Sequence, residues 1–236
     1  MVASLFRKRS RTEGSSARAN DGAGIRIEFT DLAPDAEVFL GQSAYLFLRF
    51  AESAARHAHD AIDLESESNL AVVAEECFSR FSALATSLDK LGVDRVEAMS
   101  PFIAPTREFE RRTRGRNWVE RVACTWVTMA FLQDFWRRLA DGLPASVRAA
   151  VVTALKSDHM IDVLRAEVEQ RLEREPTLRP MLALWARRLV GDTMLVAESA
   201  LVIPEGAPGQ SETVEPVFTE LIAAHSRRMD AMGLTA

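Results

Sequence analysis

Two adjacent glutamates, Glu75 and Glu76, stand inside "NLAVVAEECFSRFSALATSLDKLG", residues 69–92. The apolar period of that stretch is the period of a long amphipathic helix. Carboxylates in the middle of bundle helices can hold iron, but only when they face inward. On a helical wheel the apolar stripe is Leu70, Ala74, Cys77, Phe81, Leu84 and Leu88. Glu76 falls about 100° from the stripe centre and Glu75 about 160° from it. Glu75 is therefore expected in solvent and Glu76 on a flank. Arg80 lies about 60° from the centre, which points its guanidinium inward with Cys77.

Two later aspartates are the better candidates for buried carboxylates. Read as one helix, residues 145–173 carry a stripe of Val147, Val151, Ala154, Ile161, Val168 and Leu172. Asp158 falls on that line, Asp162 at its edge and His159 about 100° away on a flank. In the helix expected over 177–203, Leu178, Leu182, Trp185, Leu189, Val196 and Ile203 line up, with Asp192 among them. A buried carboxylate is costly unless it is paired, protonated or bound to metal. Asp158 and Asp192 are thus expected either in salt bridges, Arg80 being one candidate partner, or in a metal or catalytic site. The donor set for a metal would be Asp158, His159, Asp162 and Asp192. His57, His59 and His225 read as surface residues. No zinc-ligand spacing, glycine-rich phosphate loop or nucleophile elbow occurs.

The basic cluster inside the folded region is "REFERRTRGRNW", residues 107–118. It carries Arg107, Arg111, Arg112, Arg114 and Arg116, interleaved with Glu108 and Glu110 and followed by Trp118. Arginines beside an exposed aromatic can grip a phosphate backbone and stack a base, which makes tRNA a candidate partner. The alternative is a solvated connection in which the arginines pair with local glutamates.

Long helices are needed to position these groups, and the sequence supplies them. Helices are expected over 34–62, 69–92, 118–140, 145–173, 177–203 and 214–232, with a short one after Pro105. Several exceed the usual ~11–12 residues, as suits antiparallel helices packed side by side. In the first, Phe39, Ser43, Leu46, Phe47, Phe50 and Ala54 share the inner face, with Glu52 opposite. The helix over 118–140 is apolar on two sides and so is expected to be packed on two. With 11 glycines and 9 prolines in 236 residues, a turn-rich β-fold is excluded. The expected organisation is a basic N-terminal tail, 1–33, containing Arg7, Lys8, Arg9, Arg11 and the strand-like "IRIEF", then one helical domain, 34–236. A net charge of −5 argues against general nucleic-acid binding. Two cysteines in apolar helical text, with no signal-like or membrane-length apolar run, point to a reduced cytoplasmic protein without membrane attachment.

The segments "LATSLDKLGVDRVEAMSPF", "LALWARRLVGDTM" and "ELIAAHSRRMDAMGL" resemble the MiaE-like group of ferritin-like proteins common in actinobacteria. The likeness runs from about Phe39 to Leu234. It implies an all-α, ferritin-like bundle of long antiparallel helices with additional C-terminal helices. The name-giving enzymes are tRNA hydroxylases that use a di-iron centre and dioxygen on a modified adenosine. Such a centre takes a Glu from each of two helices and a Glu-x-x-His from each of two others, and no Glu-x-x-His occurs in this chain. The inward pair on the second helix is Cys77 with Arg80, and Phe47 with Phe50 fill the first. The expectation is a cofactor-free ferritin-like protein acting as a structural or interaction module, for instance as a homodimer. The alternative is a di-iron oxygenase with an atypical site.

Overall fold

The computed structural model of the protein describes residues 29–199, 201 and 210–234. Every regular element among them is helical. α1 (Ala36–His59) and α2 (Leu64–Lys90) form an antiparallel hairpin in contact along its length. α3 (Arg95–Met99) and α4 (Ile103–Arg112) lead to α5 (Trp118–Leu139). α6 (Ala145–Leu155), α7 (His159–Arg174), α8 (Arg179–Glu198) and α9 (Gln210–Ala231) follow. No described helix is long and apolar enough to cross a membrane.

Local chemistry sets the helix ends. Asp63 caps α2, its Oδ1 accepting from the Ser66 N–H at 2.9 Å. α2 closes at Gly92, whose φ of 72° lets Val93 N–H reach back to Leu88 O at 3.1 Å. α9 closes the same way at Gly233, φ 64°, with Leu234 N–H on Met229 O at 3.0 Å.

α5 is the central helix and packs against α1, α7, α8 and α9, as its two apolar sides require. Trp126, Phe131, Phe135 and Trp136 are buried along it, and each such side chain contributes roughly 1.5–3 kcal/mol through burial. α9 is held by Phe218, which stacks on Phe131 and Phe135 with ring centres 6.2 and 6.1 Å apart.

Two expectations are corrected. The helix expected over 145–173 is two helices, α6 and α7, broken at 156–158. The carbonyls left over at the break are taken by distant side chains. Arg137 donates from Nε and Nη2 to Leu155 O at 2.8 and 2.6 Å. Arg80 Nη2 and Gln133 Nε2 donate to Ser157 O at 2.6 and 3.1 Å. Carbonyls satisfied in this way no longer favour helix continuation. The tail also ends earlier than residue 33. Phe29–Leu32 form a 3-10 turn, and Leu32 is fully buried against the core. Arg7, Lys8, Arg9, Arg11 and all of "IRIEF" before Phe29 lie outside the described residues.

Candidate functional site

Three helices each present an i, i+3 pair to the same interior, because residues three apart share a helix face. α1 supplies Phe47 and Phe50, α2 supplies Cys77 and Arg80, and α5 supplies Gln133 and Trp136. All are buried, Arg80 to 7% exposure. The Arg80 guanidinium lies 5.5 Å from the Phe47 ring centre and donates to Gln133 Oε1 and Ser157 O. Phe47 meets Phe50 at 6.0 Å and Trp136 at 5.5 Å. Cys77 Sγ touches Met160 Sδ of α7 at 3.4 Å, and burial pushes its thiol up to about 12.

A di-iron centre of the implied kind needs about six carboxylate and imidazole donors converging on one cavity. Here the inward positions hold phenyl, indole, thiol, thioether and amide groups around a fixed positive charge. Those residues do not fit the centre. Among the described residues no three His, Cys, Asp or Glu side chains are grouped to hold a metal ion.

The four proposed donors are each engaged elsewhere. Asp158 is exposed, not buried. It stands at the N-terminus of α7, where Oδ1 accepts from Gln133 Nε2 and Arg137 Nη2, each at 2.7 Å. The wheel misplaced it because the α6–α7 break resets the helical phase. Asp192 is half-buried and pairs with Arg112 of α4 at 2.8 Å. The core side of α8 is built from Leu182, Ala183, Ala186, Leu189, Val190, Thr193 and Ala197, and its alanines and threonine carried little weight in the wheel. His159 is exposed, with Nδ1 2.6 Å from Glu76 Oε1. Asp162 lies 3.9 Å from Arg165 at the surface. Arg80 and Asp158 share Gln133 and do not form a salt bridge with each other.

The buried carboxylates are instead Glu120 and Glu167, at 2% and 4% exposure. Glu120 closes a variant of the capping box: Asn117 Oδ1 accepts from Glu120 N–H at 2.9 Å, while Glu120 Oε2 reaches one residue past the N-cap to accept from Arg116 N–H at 2.7 Å. Arg116 adds an ion pair at 3.0 Å, and the net effect of these bonds holds the carboxyl below its usual range despite the opposing effect of burial. Glu167 accepts from Asn69 Nδ2 at 2.8 Å. The Asn117-x-x-Glu120 spacing was a readable signal for the first. Starting the wheel at His159 puts Glu167 on the Met160, Leu164, Val168 stripe for the second.

His57 and His225 are also buried, contrary to expectation. His57 follows Phe50 and Ala54 on the inner face of α1. His225 sits in the Phe218, Leu221, Met229, Met232 stripe of α9. Burial, with arginines nearby, lowers both imidazoles to about 4.

The five arginines of the basic cluster do not form one patch. Arg111 pairs with Glu108 at 2.6 Å, Arg112 with Asp192 and Arg116 with Glu120. Arg107 and Arg114 are exposed, and neither has a carboxylate within ion-pair distance among the described residues. Trp118 is half-buried, with Nε1–H donating to His57 O at 3.0 Å, so it is not a free stacking platform.

The helix order, the central α5 and the inward i, i+3 pairs define a ferritin-type bundle whose interior is filled. The family model of the ferritin-like domain of actinomycetes matches residues 36–205, from the start of α1 past the end of α8. The chain belongs to that family. No curated protein matches it.

Proposed function

We propose that this chain is a ferritin-fold protein of the MiaE-like type that works without a di-iron centre, as a non-catalytic interaction protein. The observation that carries this reading is Arg80, whose guanidinium is buried among Phe47, Gln133 and Ser157 O. A metal pair beside it would meet a like charge with little water to screen it. Arginine cannot relieve that repulsion by releasing a proton. The two unpaired cysteines suit the cytoplasm.

The partner we assign is a second copy of the chain, docked through a helix face. α8 leaves Met181, Leu184 and Leu195 about half exposed on one side, with Gly191 open between them. Apolar side chains in line on a helix bury well against an equivalent helix.

The test is expression in iron-supplemented medium, purification without chelator, and measurement of metal and mass on one sample. The proposal expects fewer than about 0.1 iron per chain, against the two of an occupied di-iron site. It expects a light-scattering mass near twice the 26.2 kDa chain, reduced by Leu184→Asp. Stoichiometric iron overturns the metal-free reading. A monomer at tens of micromolar overturns the dimer.

A further inference from the structure

A cleft of about 570 Å3 opens between α1, α4, the loop after α4 and the first half of α5. Small-molecule sites commonly span ~300–1,000 Å3. Six arginines line it, namely Arg49 and Arg56 of α1, Arg107 and Arg111 of α4, Arg114 of the loop and Arg121 of α5, against two carboxylates, Asp60 and Glu110. In a chain of net charge −5 this is a local reversal of sign.

The carboxylates are already engaged. Glu110 receives both arms of Arg49 at 2.8 Å, and Asp60 pairs with Arg121 at 3.0 Å. Arg56 comes only within 3.7 Å of Glu52. Arg107 and Arg114 keep their forks without a carboxylate among the described residues. In the same lining, His57 is 6% exposed. Its Nε2 lies 3.1 Å from Thr125 Oγ1, and its Nδ1 has no hydrogen-bond partner.

We propose that this cleft binds a small phosphorylated molecule, a phosphate ester or a nucleotide, with Arg107 and Arg114 on its phosphoryl oxygens and His57 beside it. Guanidinium forks match phosphate geometry in a way that single ammonium charges do not. Cys124 also lines the cleft, but burial pushes its thiol up to about 11 and leaves it no nucleophile at neutral pH. The cleft binds its ligand and does not transfer the phosphoryl group to that thiol. A nucleic-acid strand fits the surface less well. No Phe, Tyr or Trp lines the cleft to stack a base, the His57 ring is only 6% exposed, and Arg112 and Arg116 are held in ion pairs outside it. The cleft is separate from the Arg80 interior, so this proposal and the metal-free reading fail independently.

The test is calorimetric titration of the full chain, at ~150 mM salt where diffuse attraction is screened, with inorganic phosphate, pyrophosphate, AMP and a short single-stranded RNA. Saturable one-to-one binding of a phosphorylated small molecule is expected. Arg107→Ala and Arg114→Ala each weaken it by about 10-fold or more, as loss of a charged hydrogen bond implies. Arg95→Ala on α3, outside the cleft, leaves affinity unchanged. Both cleft side chains are exposed and without a carboxylate partner, so their removal spares the fold, which melting curves check. Equal binding of phosphate and AMP identifies the free anion as the ligand; tighter AMP identifies an ester. The proposal is overturned by the absence of saturable heat with every small probe. An equal loss in Arg95→Ala, or RNA binding that excess AMP does not displace, also overturns it.

Discussion

The guanidinium carbon of Arg80 lies 5.5 Å from the centre of the Phe47 ring, and its nearest hydrogen-bond partners are the Gln133 amide oxygen and Ser157 O, not a carboxylate. A buried cation without an ion-pair partner is held by what it touches. Here that is one aromatic face, one amide oxygen and one backbone carbonyl. Cation–π contact contributes about 0.5–2 kcal/mol, and a hydrogen bond from a charged donor about 1.5–3 kcal/mol.

Arg80→Met keeps the stem and removes the charge. Ser157 O retains Gln133 Nε2, but Gln133 Oε1 is left buried without its donor. The expected cost is about 1–3 kcal/mol, the penalty of one unsatisfied buried acceptor. Urea unfolding measures it. A more stable variant would contradict the structural role assigned to Arg80.

Two helical glycines should respond to alanine with opposite signs. Helix propensity alone favours Ala over Gly by roughly 0.5–1 kcal/mol at both. A Cβ on Gly191 in α8 meets nothing within 4 Å in the single chain, so Gly191→Ala is expected to stabilise the protomer by about that amount. A Cβ on Gly41 in α1 would overlap the backbone carbonyl of Ala98 on α3. Gly41→Ala is expected to destabilise by about 1–3 kcal/mol, because the backbone must move. Paired thermal melts check the signs, and stabilisation by both changes would mean that α1 and α3 are not in close contact.

His57 and His225 make stability depend on pH. Both are lowered from 6.5 to about 4 by burial, with Arg121, Arg56 and Asp60 facing His57 and Arg228 facing His225. The unfolded chain therefore binds more protons than the folded one between those values. Their contribution is complete above pH 6.5 and is lost as pH falls to about 4. Each shift corresponds to roughly 3 kcal/mol at full extent. Glu198, raised by burial, opposes this over part of the range. Unfolding free energy measured from pH 7 to 4 should fall steeply, and His225→Leu should remove about half of the histidine slope. A flat profile would place both imidazoles in solvent.

The long helices and the inward set Phe47, Phe50, Cys77 and Arg80 were legible because apolar residues recur at helical period and a straight helix keeps its phase. Asp158 was misread for the converse reason. The α6–α7 break depends on Arg80 and Arg137, residues far from it in sequence, so no local pattern announced the phase reset. Asp192 was misread because the packed side of α8 adds Ala183, Ala186, Thr193 and Ala197 to Leu182, Leu189 and Val190, and a large-residue stripe undercounts those small side chains. His225 lay in register with Phe218, Leu221, Met229 and Met232, and only its polarity argued for the surface. The arginine cleft was half visible. Arg107, Arg111 and Arg114 are close in sequence, but Arg49, Arg56 and Arg121 join them only through the fold.

The account depends most on whether the Arg80 interior can take up iron, and retained metal after ferrous loading in air is the direct measurement. The metal-stripped chain is given excess ferrous iron and dialysed, and the iron left per chain is counted beside its ultraviolet spectrum. Retention indistinguishable from a buffer blank, with no charge-transfer band, is the result predicted. About two irons per chain, with the band of an oxo-bridged pair, would contradict it, since that is the full complement of a ferritin-like centre.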